Sequence, residues 1–284
     1  MSSSQAPTGP APTLQQLLES RYSDAPAVDA AYDIPALRGI AGRGSCRSFV
    51  DAPVPDAMVQ VLCATALAAP TKSDLQQRDI VLVQDQTKRA ALAQLVAGQA
   101  WVAQAPLIAV FCGNNRRQRL LHEWQDVPFA NDHLDAFFNA ATDAAIALGA
   151  FVTAAEALGL GCCPISAVRN QAQGVSDMLD LPQHVFPFAG LAIGFPSVPC
   201  QISPRLPMAV TVHKDRYCED DVKEAVEIYD RDRTQRQPYA QQRFVGAFGH
   251  SDTYGWSQDK VRQYSQPERA DFAQFVKARG FALD

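Results

Sequence analysis

The stretch from Asp132 to Leu158 is the longest helical pattern in this sequence, and its centre is built from small residues. Ala140, Ala141, Ala144, Ala145, Ala147, Gly149, Ala150, Ala154 and Ala155 let other backbones approach closely, which suits a helix inside the fold or at a subunit interface. Alanine is also the strongest helix former, so helix propensity alone accounts for the composition. The residues by themselves allow either explanation.

Around this helix the pattern predicts an uneven alternation of strands and helices. Residues 1–12 read as disordered, and TLQQLLESRYSD reads as a short amphipathic helix with Leu14, Leu17 and Leu18 on one face. A helix from about Ile34 to Ala41 breaks into the loop Gly42-Arg43-Gly44-Ser45. Pro53 and Pro55 bracket a turn, Asp56 is placed to cap the helix AMVQVLCATALAA, and Pro70 stops it. DIVLVQD predicts a strand, TKRAALAQLV a helix, and PLIAVFCG an apolar run short enough for a buried strand. ALGLG at 157–161 follows a helix and reads as its stop.

GLGCCPISAVR then predicts a strand and turn, QAQGVSDMLDL a helix, PFAGLAIGFP a strand and MAVTVH a further strand. DDVKEAVEIYDRDRTQR predicts a charged helix, and the stretch from Thr253 one or two more. No internal repeat is visible, and an α+β fold with a central sheet sandwiched by helices follows. The expected organisation is a flexible arm with a short helix over residues 1–30 and a main domain over 31–284, with 219–284 as a helical extension.

A chain of 284 residues with 47% hydrophobic content can bury a full core without cross-links. Net charge is −5 and no Lys/Arg-rich run occurs, which argues against a nucleic-acid partner. An anionic small ligand must then be met by local arginines rather than a global field. No uninterrupted apolar run reaches about 18 residues. The start, MSSSQAPTGPAPTLQ, lacks a charged and then apolar leader, so neither a membrane span nor a secretory signal is expected. Seven cysteines without a C-x-x-C pair point away from zinc and dithiol chemistry and suit reduced thiols in a cytoplasmic protein.

Three segments could carry chemistry. In GRGSCRSF, Arg43, Ser45 and Arg47 alternate around a Gly-containing loop, and two guanidiniums with a hydroxyl and backbone N–H groups match a phosphate monoester. APTKSDLQQ at 69–77 is a polar loop between a helix and a strand, and PRLP at 204–207 presents Arg205 between two stiffening prolines. Neither rises above a solvated loop or a surface ion pair by itself. There is no P-loop, no G-x-S-x-G, no H-E-x-x-H and no G-x-G-x-x-G after a strand. His122, His133, His184, His213 and His250 share no metal-ligand spacing, and no metal is expected.

Taken in order, these segments resemble the nitroreductase family, in its branch of NADPH-dependent FMN oxidoreductases that includes oxygen-insensitive nitroreductases and a flavin reductase of luminous bacteria. RGSCRSF resembles the family's opening R-S-x-R type segment, Ala69 to Gln76 its A-P-S/T-S-x-x-L-Q loop, and AGQAWVAQAP at 97–106 its G-G-Q-x-x-V segment. LPQHVFPFAGLAIGFP is similar to the family's pattern almost throughout, and PRLP also matches. The late W-S pattern with its arginines and the closing GF resemble the C-terminal region of this branch.

The resemblance implies a mostly antiparallel sheet between helices in an intertwined homodimer, with FMN at the subunit interface. It implies ping-pong hydride transfer from NADPH or NADH to a small-molecule electron acceptor such as a nitroaromatic, quinone or flavin, with no catalytic acid or base from the protein. Arg43, Gly44, Ser45, Arg47 and Arg205 would hold the FMN phosphate and ribityl chain. Thr71, Ser73, Gln76 and Gln99 would bound the ribityl and pyrimidine side, while Ile165, Ser166 and Ala167 pass under the ring. Arg47 is the candidate for tuning the flavin, since reduced flavin carries negative charge that a nearby cation stabilises.

Several positions depart from the branch. Gly44 stands where a second basic residue is common, Lys72 and Asp74 charge a loop that is usually more neutral, and Ser166 and Ala167 replace a Gly-Gly pair. Ser203 stands where relatives carry a lysine toward the nicotinamide 2′-phosphate; Arg269, or Arg231, Arg233 and Arg236, could compensate, with Lys72 and Arg269 on the substrate and nicotinamide side. These departures motivate the alternative of a flavin-binding or flavin-sensing protein, or a specialised FMN dehydrogenase, without efficient nicotinamide turnover. A third alternative, a structural protein that dimerises through its Ala-rich helix, does not account for the ordered run of matching segments.

Overall fold

The computed structural model describes residues 11–96 and 99–284. The start expected to be disordered therefore lies outside the described residues up to residue 10, as do Ala97 and Gly98 of the AGQAWVAQAP segment. The chain divides into two units, Met1–Arg43 with Gln201–Gln266 and Gly44–Cys200 with Pro267–Asp284. The first unit opens with α1 (Leu14–Arg21) and α2 (Pro35–Gly42). The second follows with α3 (Asp56–Leu67), β1 (Arg78–Val83), α4 (Gln86–Leu95), α5 (Ala100–Ala103), β2 (Leu107–Asn114) and α6 (Arg116–Trp124). It continues through α7 (Leu134–Ala157), β3 (Gly161–Ile165), α8 (Ala172–Met178) and β4 (Val185–Gly194). The first unit resumes with α9 (Met208–Thr211), α10 (Val222–Arg236), α11 (Val245–Phe248) and α12 (Trp256–Tyr264), and α13 (Phe272–Ala278) closes the second.

The second unit is built on a sheet of order β1-β2-β4-β3 in which every neighbouring pair is antiparallel. The apolar run read as a buried strand is β2, and it is buried along its whole length. Side chains alternate between faces, so Leu107, Ala109 and Phe111 pack with Leu62 of α3 and Phe151 of α7, while Ile108, Val110 and Cys112 pack with Leu92 of α4 and Val175 of α8. Helices covering both faces explain why this strand reads as a continuous apolar run rather than as an alternation. Each fully buried Leu, Ile or Phe adds about 1.5–3 kcal/mol of apolar burial.

The long helix α7 uses its small residues as close-packing positions. Ala140, Ala144, Ala147 and Ala155 are fully buried; Ala147 and Ala155 pack with α3 and the sheet, and Ala140 with Phe186, Val276 and Phe281. Its 24 residues, with an 18-residue window of mean hydropathy 1.4, would suffice to cross a membrane, although no uninterrupted apolar run is that long. Here it is a core helix, with the carboxylate of Asp143 buried at its middle. The expected stop is present: Gly159 takes φ +80°, and the Leu160 and Gly159 N–H groups donate back to Ala155 O and Glu156 O.

The C-terminal strap is sewn to the same unit. Phe137, Phe186 and Phe281 form an aromatic cluster with centroid separations of 4.7–5.9 Å. The buried Arg279 guanidinium donates to the carbonyls of Leu181 and Pro182.

Three local expectations are corrected. MAVTVH, expected as a strand, forms the short helix α9, because both Asp24 carboxylate oxygens accept from the Met208 and Ala209 N–H groups at 2.9 and 3.0 Å. Asp56 does not cap α3: Pro55 is the N-cap residue, and Asp56 instead accepts from Gln84 at 3.1 Å. Helix α6 was not foreseen, because its sequence is polar and lacks an apolar stripe; Arg117–Asp79 and Arg119–Asp132 ion pairs hold it.

In the first unit α1 packs on α2 through Leu14, Leu17 and Ala41, with Leu18, Val28 and Ile202 around them. Thr13 and Gln16 form a reciprocal capping box at the start of α1. Helix α10 is charged as expected and packs against α12, where Tyr229 meets Trp256 edge to face at 5.6 Å.

Candidate functional site

Of the expected flavin-binding residues, all but Arg43 and Arg205 lie in the second unit, together with Lys72 and Arg269, whereas Arg231, Arg233 and Arg236 lie in the first. Strand β3 is an edge of the sheet, and the segment after Gly44 covers it. Ser45 pairs with Cys162 in a parallel bridge, and the Cys46 N–H donates to Cys162 O at 3.0 Å. Extended backbone alternates its side chains, so Cys46 points inward, 2% exposed, while Ser45 and Arg47 both stand exposed. A Cβ on Gly161 would lie 2.6 Å from both Cβ and Sγ of Cys46, so only glycine lets the segment seat this closely. Gly161→Val is therefore expected to displace residues 45–47 and to lower stability by about 1–3 kcal/mol, the usual cost of overpacking. Urea denaturation checks this, and unchanged stability would contradict the seating.

Arg47 lies over the Trp101 ring at 5.8 Å, and Trp101 follows closely on Gln99, the exposed N-cap residue of α5. Strand β3 runs directly into a 3-10 turn, Ser166–Arg169, with Ile165 and Ala167 buried and Ser166 exposed. Ser166 and Ala167 open that turn, where N–H groups have no earlier turn to bond. Asn170, just beyond, accepts from Arg269 at 3.1 Å, and the same guanidinium is paired with Glu268 at 2.6 Å. Ser45 thus lies beside β3, which leads into the Ser166 turn, while Arg47 meets Trp101 and Arg269 reaches Asn170 just past that turn. Arg169, which the sequence reading passed over, adds a guanidinium at this turn and donates to Phe188 O at 2.6 Å.

The loop holding Thr71, Lys72, Ser73 and Gln76 is shaped by a residue the sequence reading missed. Ser73, Asp74 and Gln76 take φ of 47°, 57° and 54°, left-handed values that cost a non-glycine residue about 1–3 kcal/mol each. Asp143 of α7, 1% exposed, pins the loop from inside, its two oxygens accepting from the Lys72 N–H at 2.9 Å and the Gln77 N–H at 2.8 Å, while Gln118 and Arg117 donate to the Leu75 and Gln76 carbonyls, each at 2.8 Å. The signal was available: Asp143 is the one acidic residue in the Ala-rich centre from 136 to 155. Lys72, Ser73 and Gln76 are left exposed, with the Lys72 ammonium 3.0 Å from the Ser73 hydroxyl.

Arg43 and Arg205 belong to the first unit, where both line a cavity of about 350 Å³ with Arg21, Tyr22, Leu18 and Ile40. A second cavity of about 480 Å³ in this unit is lined by Arg205, Arg233, Lys260, Tyr229, Tyr239 and Trp256 among others. Burial pushes the Tyr229 and Tyr239 hydroxyls above the usual phenol range, so both stay neutral donors. Lys260 pairs with Asp259 at 2.6 Å; burial pushes that carboxyl up, but hydrogen bonds from Lys260 and Tyr254 outweigh it and hold it low. Of the arginines weighed against the Ser203 departure, Arg236 pairs with Asp232 at 2.8 Å, and Arg233 lines this cavity.

Residues 40–195 match the model of the nitroreductase family, and residues 203–284 match that of the nitroreductase family C-terminal domain. The chain is 31% identical over 251 residues to an FMN reductase [NAD(P)H] of Bacillus subtilis, covering 87% of this chain and 98% of the relative. It is 36% identical over 183 residues to an oxygen-insensitive NADPH nitroreductase of Salmonella typhimurium, covering 64% and 75%. Among solved structures, B. megaterium NfrA2 superposes with a TM-score of 0.80 at 33% identity, covering 88% of this chain and 98% of that one. An NADPH:FMN oxidoreductase from Vibrio harveyi complexed with NAD+ superposes at 0.76 with 28% identity, covering 87% and 98%. With matched residues spanning most of its length and with the antiparallel sheet between helices described above, the chain belongs to the nitroreductase family.

Proposed function

We propose that this chain is an FMN-dependent NAD(P)H oxidoreductase that reduces nitroaromatics, quinones or flavins by a ping-pong mechanism. The observation that carries the reading is the exposed row of Ser45 and Arg47 along strand β3, leading to the Ser166 turn, in a member of the nitroreductase family. This donor set fits FMN: a hydroxyl, a guanidinium and backbone N–H groups suit a phosphate and an electron-rich ring edge, both of which present the acceptors that these donors need. When bound, FMN supplies a carrier for two electrons between the nicotinamide and a second substrate.

The protein's part is binding, orientation and electrostatics. Ser45 and Arg47 hold the phosphate side, and Arg43 and Arg205 are the further phosphate arginines. Thr71, Ser73, Gln76 and Gln99 bound the ribityl and pyrimidine side, and the Ser166 and Ala167 N–H groups face the ring. Lys72 attracts an anionic substrate or the nicotinamide phosphates, and Arg269 borders the Ser166 turn. The cavity lined by Arg233, Lys260 and Tyr239 offers cations and aromatic faces to the phosphate-bearing end of the donor.

The working form in this reading is a homodimer. Leu134, Phe138 and Ile146 stand exposed along one face of α7, and apolar residues at this spacing form a natural seam between subunits. Steady-state kinetics of the FMN-loaded protein tests the activity. Parallel double-reciprocal lines for NADPH against a quinone or nitroaromatic are expected, and intersecting lines, or a protein that takes up no FMN, would overturn the reading.

A further inference from the structure

Arg21 ends helix α1, ahead of the residues 40–195 that the family model matches, and it is 6% exposed. A guanidinium this buried must have its donors met, and here backbone carbonyls meet them. Its Nε donates to Ala41 O at 2.5 Å, one terminal nitrogen donates to Arg43 O, and the other donates to Ser203 O at 3.2 Å. In return the Arg21 carbonyl accepts from the Arg205 N–H at 2.7 Å. Ala41 lies in the last turn of α2 and Arg43 is its C-cap, so the cation stands where a helix leaves its final carbonyls unbonded and its dipole negative.

One side chain therefore grips the backbone on both segments that carry arginines into the 350 Å³ cavity. Asp24, three residues further on, adds a second tie by capping α9 just past Arg205. We infer that Arg21 is a positioning residue for phosphate recognition: it sets the spacing of Arg43 and Arg205 so that both guanidiniums act on one phosphate group. The N-terminal helix then serves cofactor selectivity as well as packing. This inference rests on the FMN reading given above.

The test is to titrate the full-length protein and its Arg21→Lys and Arg21→Gln variants with FMN and with riboflavin, following flavin fluorescence. The two ligands differ only in the phosphate, so general damage to the fold weakens both alike, whereas misplaced phosphate arginines weaken FMN alone. Arg21→Gln is expected to lose about tenfold in FMN affinity, the scale of one charge-assisted hydrogen bond, with riboflavin affinity changed by less than about twofold. Arg21→Lys keeps the charge without the fork and should fall between. If the parent protein prefers FMN and both variants keep that preference, or lose both flavins equally, the inference fails while the FMN reading stands. If the parent protein binds neither flavin, the reading fails and the inference falls with it.

Discussion

Replacing Asp143 by alanine is expected to cost the protein about 3 kcal/mol or more, because hydrogen bonds to a charged group contribute roughly 1.5–3 kcal/mol each and two are lost together. The donors are the backbone N–H groups of Lys72 and Gln77 at the two ends of the 71–77 loop, and their acceptor sits inside the core on α7. Between those ends Ser73, Asp74 and Gln76 hold left-handed conformations. Without the carboxylate, nothing on α7 offsets that strain, and the loop should relax. The variant should therefore show both a lower urea midpoint and a lower FMN content after purification. Asp143→Asn, which keeps one acceptor oxygen, should fall between. A variant with parental stability and full FMN content would mean that the loop is shaped by something other than Asp143.

Arg47→Gln is expected to weaken FMN binding by roughly ten- to a hundredfold, the equivalent of one or two charge-assisted hydrogen bonds. Cys46 is anchored to β3 and Trp101 supports the Arg47 guanidinium, so the backbone should stay in place and the loss should be electrostatic. At saturating FMN the midpoint potential of the bound flavin should also fall, because a cation that stabilises the more negative, reduced form is gone. Arg47→Lys should restore much of the potential but less of the affinity, since an ammonium keeps the charge and lacks the paired donors. A variant with weakened binding and an unchanged potential would confine Arg47 to the phosphate.

The central strands were legible because burial on both faces writes itself into composition: 107–114 has no polar alternation to misread. The long helix was legible as well, but its decisive residue was not, since a single Asp in an alanine-rich stretch looks like a solvent-facing position until its partners appear across the fold. Helix α9 was misread as a strand for the same reason. Its cap comes from Asp24, far away in sequence, and no local rule contains that information. The Arg43–Arg47 loop reads in the sequence as one donor-rich unit, yet its residues sit in different surroundings. Arg43 ends α2 beside Arg21, whereas Ser45 and Arg47 belong to an extended segment on β3. Alternation along that segment was visible in the sequence, and the glycine at 161 that permits its close seating was not recognised.

The most direct test of the account is anaerobic stopped-flow mixing of the FMN-loaded protein with NADPH and, in parallel, with NADH. The account predicts that the visible flavin band bleaches with at least one of the two nucleotides and returns when a quinone or nitroaromatic is added. Tight FMN binding with no bleaching by either nucleotide would contradict it and identify the chain as a flavin-binding protein without nicotinamide turnover.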